Sequence, residues 1–178
     1  RGESGVWELF VPGVEAGALY KYRIVSPLMK EPMLKADPCG RAMQLRPSNA
    51  SVVTPPSAHE WTDDTWIAAR AEHQSSARPT SIYEVHLGSW KREPGAKARE
   101  GLTGWKNYRQ LAEELVPYVA GLGFTHIELL PITEHPYDRS WGYQTVGYFA
   151  PTARHGTGDD LRYFIDQAHA AGIGVILD

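Results

Sequence analysis

From Ser81 onward the apolar positions fall into alternating strand and helix periods; before it they do not. Ser81 to Leu87 predicts a strand, with Ile82, Glu84 and His86 on one face. Asn107 then opens a helix, with Gln110 as its capping-box partner. Tyr108, Leu111, Ala112, Leu115, Val119 and Leu122 form its apolar face. Pro117 predicts a kink or break, and Gly121 and Gly123 the stop. Thr125 to Leu130 reads as a second strand, with His126, Glu128 and Leu130 sharing a face. After a loop of about 26 residues, long enough to suggest function, Thr157 caps a second helix with Asp160 at its third position. Leu161, Phe164, Ile165, Ala168 and Ala171 form its stripe; Gly172 ends it, and Ile173 to Asp178 is a third strand.

Residues 1–56 have another pattern. Val6 to Val11 predicts a strand broken by Pro12-Gly13, and Leu19 to Val25 alternates like a half-buried strand. Prolines punctuate residues 27–56, within which Ala50 to Val53 predicts one more short strand. So few strands do not bury a sandwich core, so this reads as part of an all-β sandwich. Residues 57–80 read as a connector, with Trp61 and Trp66 in a polar, acidic setting. Those rings either pin the connector to a domain surface or stack on a sugar.

Strand–helix–strand–helix–strand with mostly apolar strands predicts an α/β fold with a parallel sheet over residues 81–178. Both long loops come after strands, at their C-terminal ends, the face where a (β/α)8 barrel carries its active site. An open doubly wound sheet is the other arrangement, disfavoured by the lack of a Gly-rich phosphate fingerprint after the first strand. The chain opens on Arg1 and closes on an apolar strand, so it reads as an internal piece of a longer protein.

Composition narrows the function classes. Hydrophobic residues make up 42% and charged residues 22%, ordinary for a globular protein with a core. The net charge of −3 gives no basic excess for nucleic acid or an anionic membrane. No apolar run approaches the roughly 18 residues of a membrane-spanning helix, and no signal-peptide pattern opens the chain. The single cysteine, Cys39, excludes an intrachain disulfide framework and fits a reducing, cytoplasmic compartment.

The chemistry-bearing residues gather after the predicted strands. Glu and His on two neighbouring strands invite a metal site, but they lack a spaced third ligand and satisfy one another equally well, so no metal is expected. Glu134-His135-Pro136 supplies either an acid and a base or hydrogen bonds that fix the loop. Ser140-Trp141-Gly142-Tyr143-Gln144 sets two aromatics around a glycine. Flat rings suit the apolar faces of sugars, and Gln144 suits their hydroxyls. Trp141, Tyr148 and Phe149 equally suit a small loop core; Trp141 and Phe149 are expected to pack and Tyr143 to face ligand. Asp178 ends the third strand, where a carboxylate is costly unless it binds or pairs. There is no Gly-x-Ser-x-Gly elbow, no phosphate loop, no His-Glu-x-x-His and no convincing pair of glycosidic carboxylates.

Taken in order, these motifs resemble bacterial 1,4-α-glucan (glycogen) branching enzymes of the α-amylase superfamily (glycoside hydrolase family 13). The resemblance covers essentially the whole chain. Its strongest carriers are Ser81-Ile82-Tyr83-Glu84-Val85-His86-Leu87-Gly88-Ser89-Trp90 and Gly123-Phe124-Thr125-His126-Ile127-Glu128-Leu129-Leu130-Pro131. Glu134-His135-Pro136, Ser140 to Gln144 and Ala171 to Asp178 add to it, and Gly5 to Gly13 with Lys35 to Pro38 match the family's N-terminal module more weakly. The resemblance implies part of a starch-binding-like sandwich at 1–56, a connector at 57–80, and the first three strand–helix units of a catalytic (β/α)8 barrel at 81–178. It implies cleavage of an α-1,4 glucan link and transfer of the freed chain to a 6-hydroxyl, making α-1,6 branches in glycogen biosynthesis. This retaining double displacement uses no cofactor. Tyr143 matches the family's sugar-stacking tyrosine and Asp178 its first conserved aspartate; Gln144 and Trp141 join them as substrate-binding candidates, with Glu134 and His135 as support. The family's nucleophilic aspartate and acid/base glutamate stand on later strands, so no catalytic residue of that pair is expected here. The expected partner is an α-1,4-glucan such as glycogen or amylose, with no nucleic acid or membrane.

Some positions depart from the family pattern: Cys39-Gly40, the charged loop Trp90–Leu102, Tyr137-Asp138-Arg139 and Thr145-Val146. None falls on the matched sugar contacts. Two other readings stay open: a debranching or trehalose-releasing hydrolase of the same superfamily, and a non-catalytic α-glucan-binding protein using Trp7, Trp61, Trp66 and Tyr143.

Overall fold

The computed structural model describes residues 2–6, 8–28, 30–93 and 104–178. Trp7 and most of the charged loop between Trp90 and Leu102 lie outside them. The N-terminal stretch contributes β1 (Leu19–Tyr20), β2 (Tyr22–Ile24), β3 (Met33–Lys35) and β4 (Ser51–Val52). β1 pairs antiparallel with β4, and β2 with β3. The single strand expected over 19–25 is thus divided at Lys21, whose ammonium bonds to Asn49 Oδ1 at 2.5 Å. The alternation survives the division: the Tyr20 and Tyr22 hydroxyls both donate to Asp37 Oδ2, at 2.6 and 3.5 Å. Val6 and Glu8 to Val11 form no strand, contrary to expectation. Their side chains are exposed, and none of β1–β4 supplies the ladder that a strand there requires.

The connector holds a helix that periodicity missed, α1 (Asp64–His73). Trp66 is its one buried residue, so it carries no apolar stripe. A later helix, α4 (Gly158–Ala170), anchors it. Asp159 accepts from the Ser57 hydroxyl at 2.6 Å and the Ala58 N–H at 2.9 Å. Asp166 accepts from the Thr62 N–H and hydroxyl, at 3.0 and 2.9 Å. His169 Nδ1 meets the Asp63 carboxylate at 2.7 Å. Trp66 stacks between His73 and His169, with ring centroids 4.7 and 4.8 Å apart. Of the two tryptophans, Trp66 pins the connector; Trp61 lies half in solvent.

The α/β part runs in the order β5 (Ile82–Val85), α2 (Leu87–Trp90), α3 (Tyr108–Gly121), β6 (His126–Leu129), β7 (Thr133–Glu134), β8 (Gly147–Pro151), α4 and β9 (Gly174–Leu177). β5, β6 and β9 form a parallel sheet in that order, with Val85, Leu129 and Leu177 in register at its C-terminal end. One face, with Val85, Ile127 and Leu129, packs on Leu111, Leu115 and Val119 of α3 and Phe164 and Ala168 of α4. Glu84, Glu128 and Ile176 are register neighbours whose side chains point to the opposite face. Gly174 is required beside His126, because a Cβ there would sit 2.4 Å from His126 Cδ2.

Both helix starts are as expected. Asn107 with Gln110, and Thr157 with Asp160, form complete capping boxes. α3 runs unbroken through Pro117 to Gly121. Its buried face, with Leu111 and Leu115 before the proline and Val119 after it, holds both sides and outweighs one missing ladder bond. Leu122, expected on that face, is the exposed C-cap instead, and Ala171 is likewise exposed at the end of α4. Among the described residues no helix is long and apolar enough to cross a membrane.

Trp66→Ala in the intact protein removes the ring that joins α1 to α4. It is expected to cost about 3 kcal/mol, with Trp66→Phe costing less. Denaturant unfolding of the three proteins checks this.

Candidate functional site

The loop between β6 and α4 is an ordered excursion. β7 and β8 pair antiparallel within it, and a 3-10 turn, Asp138–Ser140, leads into Trp141. Trp141 caps that turn in the left-handed region at φ 56°. Gly142 comes next at φ +97°, and a Cβ there would lie 2.1 Å from the Pro131 carbonyl oxygen, so only glycine lets the loop pass. The Tyr143 N–H donates to the Ser140 carbonyl at 3.1 Å, and the Thr145 hydroxyl to the Gly142 carbonyl at 3.1 Å.

Tyr143 thereby stands at the C-terminal end of the sheet. Its hydroxyl donates to Asp178 Oδ2. The Asp178 backbone is in turn tied by its N–H to the Leu129 carbonyl at 3.1 Å. The bond to Asp178, with Glu84 and Glu128 as further negative neighbours, holds the phenol above its ordinary pKa and keeps it a donor. Both residues are exposed, Tyr143 at 57%. A neutral ring edge and a carboxylate therefore face solvent together on the expected side of the sheet.

The expected aromatic loop core does not form. Trp141, Tyr148 and Phe149 are 60, 66 and 66% exposed. A polar network holds the loop instead, which is why the rings are free to face outward. Glu134 is 2% exposed and accepts from Arg154 Nη1 at 2.8 Å, the Ala153 N–H at 2.7 Å and the Thr152 hydroxyl at 3.3 Å. Arg154 also donates to the His135 carbonyl at 2.9 Å and, through Nη2, to Asp138 Oδ1 at 2.5 Å. Arg46, from the N-terminal stretch, meets Asp138 from the other side, its Nε 2.6 Å from Oδ1. Burial pushes the Asp138 carboxyl up, but hydrogen bonds from Arg46 and Arg154 outweigh it and hold the group below the usual range.

Glu134 and His135 therefore fix the loop by hydrogen bonds. His135 Nδ1 lies 2.8 Å from the Thr133 carbonyl, and burial keeps its pKa below the ordinary histidine value. Gln144 is exposed, its backbone N–H 3.4 Å from Ser140 Oγ. The structure brings Tyr143 to Asp178 and leaves Trp141 and Gln144 beside them on the same loop. Sequence patterns alone did not single out Arg46, Asp138 as an ion-pair centre, Arg154 or His155. Two arginines far apart in sequence converge on one aspartate, which no local pattern announces. Among the described residues, no group of three or more His, Cys, Asp or Glu side chains is placed to hold a metal ion.

Comparison with known proteins decides the family. Residues 108–178 match the alpha amylase catalytic domain, and residues 1–40 match carbohydrate-binding module 48, the isoamylase N-terminal domain. The chain is 55% identical over 178 residues, all of its length, to a 1,4-alpha-glucan branching enzyme of Methylococcus capsulatus. By sequence, the chain belongs with the 1,4-α-glucan branching enzymes. The homologous enzyme of Cellvibrio japonicus is 50% identical over the whole chain, and that of Marinobacter nauticus 53% identical over 98% of it. The chain spans about a quarter of its relatives' length: 23% of the Methylococcus and Cellvibrio enzymes and 26% of the Marinobacter enzyme. A crystal structure of a putative alpha amylase from Salmonella typhimurium superposes with a TM-score of 0.68 at 32% identity, over 94% of this chain and 25% of that one.

The polar network can be tested at two residues. Glu134→Ala removes the more buried of Arg154's two carboxylate partners, leaving Asp138, and is expected to cost about 2–3 kcal/mol in the intact protein, read by denaturant unfolding. His155 is 4% exposed, and burial lowers its pKa from 6.5 to about 4. Below pH 6.5 the unfolded chain takes up this proton and the folded chain does not. Stability is therefore lost as pH falls from 6.5 toward 4, by on the order of 3 kcal/mol from this residue. The melting temperature measured across that window should fall more steeply for the wild type than for His155→Asn.

Proposed function

We propose that this chain forms part of the glucan-binding face of a branching enzyme that cleaves an α-1,4 link and moves the freed chain to a 6-hydroxyl. The observation that carries this reading is the Tyr143–Asp178 contact at the C-terminal end of a parallel sheet, within a sequence 55% identical to a 1,4-alpha-glucan branching enzyme. The three parallel strands are read as the first three of a (β/α)8 barrel, residues 57–80 as the connector, and residues 1–56 as part of a carbohydrate-binding sandwich.

In this reading Tyr143 stacks on the sugar at the point of cleavage. Its hydroxyl, held by Asp178, fixes the ring's angle before substrate arrives, so less ordering accompanies binding. Asp178 keeps an oxygen free to accept from a sugar hydroxyl. Trp141 and Gln144 flank the chain with an apolar face and an amide. Glu134 and His135 hold the loop that presents them. The bond-making residues are a nucleophilic carboxylate and an acid/base carboxyl on later strands, working through a covalent glycosyl-enzyme with retention. No cofactor enters this scheme, the partner is an α-1,4-glucan, and the site of action is the cytoplasm.

Product analysis of the intact enzyme tests the reading. With amylose it should yield new α-1,6 links without a matching release of reducing ends, whereas a hydrolase would release them. Tyr143→Phe should lower kcat/KM roughly tenfold and Tyr143→Ala roughly a hundredfold, because the second change removes the ring as well as the hydroxyl. The 178-residue chain alone should leave the iodine stain of amylose unchanged.

A further inference from the structure

Beside the Tyr143–Asp178 contact lies a separate cleft of about 240 Å³, lined by His86, His135 and His155 with Trp105 and Trp141. Each imidazole has its Nδ1 engaged. His135 Nδ1 faces the Thr133 carbonyl at 2.8 Å, and His155 Nδ1 faces the Lys106 carbonyl at 2.9 Å. A carbonyl only accepts, so both protons sit on Nδ1. His86 Nδ1 lies 2.9 Å from Ser89 Oγ, whose own hydroxyl donates to the His86 carbonyl at 3.4 Å. With the Ser89 hydroxyl directed at that carbonyl, His86 donates from Nδ1 as well. His135 and His155 thus keep Nε2 as a lone-pair acceptor, and in that Ser89 arrangement His86 does too.

Those acceptors have no hydrogen-bond partner among the described residues, although His135 and His155 are each only 4% exposed. Among the described residues, the one fully enclosed side-chain polar atom without a partner is His59 Nε2. The three Nε2 atoms are therefore not sealed into packing; they open onto the cleft that their rings line. Burial keeps the rings uncharged, and the positive charges of Arg92 and Arg154 reinforce this at His86.

A buried acceptor without a donor is costly, so the cleft is shaped for a ligand rich in donors. A cation is disfavoured by the charges of Arg92 and Arg154 beside the histidines. Arg92, Arg139 and Arg154 also line the cleft, but Arg154 has its donors committed to Glu134, Asp138, Thr152 and the His135 carbonyl, and an anion would meet the imidazole lone pairs and the Asp138 carboxylate. A neutral polyol satisfies every term: its hydroxyls donate to the imidazoles, and its C–H faces lie on the exposed Trp141 ring. We infer that this cleft binds a glucosyl unit of α-1,4-glucan, as a site additional to the Tyr143–Asp178 contact. The inference rests on the glucan reading above. Trp141 precedes Tyr143 by two residues, so one chain of sugars can run across both places.

Crystals of the intact enzyme soaked with maltotetraose test this directly. The expected result is a glucose ring in the cleft with hydroxyl oxygens about 2.7–3.2 Å from at least two of the three Nε2 atoms. Sugar at Tyr143 with only water or protein side chains in the cleft would overturn this inference and leave the glucan reading standing. Sugar at neither place, together with no branching of amylose, would overturn both. In kinetics, His86→Phe should raise KM for amylose roughly 3- to 10-fold with little change in kcat. His86→Gln, whose amide oxygen still accepts, should recover most of that loss. An unchanged KM in a His86→Phe enzyme of wild-type melting temperature would count against the site; if that variant does not fold, His86→Gln and the soak decide.

Discussion

One guanidinium organises the functional face. Arg154, 4% exposed at its side chain, spends its donors on Glu134, Asp138, Thr152 and the His135 carbonyl. The low-dielectric surroundings make each of these bonds strong, and would make each costly to lose. Through Asp138 the network also reaches Arg46 in the N-terminal stretch. The loop from Thr133 to Thr152 therefore needs no apolar core of its own, which leaves Trp141 and Tyr143 facing outward.

The regular elements were legible because their signals are local. Capping boxes at Asn107 and Thr157, apolar stripes at helical spacing, and three apolar runs bounded by glycine and proline fix α3, α4 and the parallel sheet. Tyr143 and Asp178 were legible as candidates through family resemblance, and the structure sets them in contact. The failures have one cause: each depended on partners distant in sequence. α1 carries a single buried residue, and its docking is written on α4 in Asp159, Asp166 and His169. Val6 to Val11 reads as an apolar strand run, yet Val6 and Glu8 to Val11 find no ladder among the described residues. Trp141 and Phe149 look like core residues until Arg154 is seen to hold the loop in their place.

The arrangement separates support from contact. Buried charge, placed by residues about 20 to 90 positions apart, sets the loop; exposed aromatics and one carboxylate are left at the surface. In the proposed reading such a division suits a glucan-binding face, where positioning of flat, weakly polar rings matters more than charge attraction. The three imidazoles of the neighbouring cleft, each engaged at Nδ1, extend the same logic.

The central claim is that Tyr143 and Asp178 meet the sugar at the point of cleavage. The most direct measurement is the structure of the intact enzyme trapped as a covalent intermediate with a 2-deoxy-2-fluoro glucosyl fluoride. The trapped ring is expected to lie against Tyr143, with an Asp178 oxygen within hydrogen-bonding distance of its hydroxyls. A trapped sugar that touches neither residue, with the Tyr143–Asp178 contact intact and remote from it, would contradict the account.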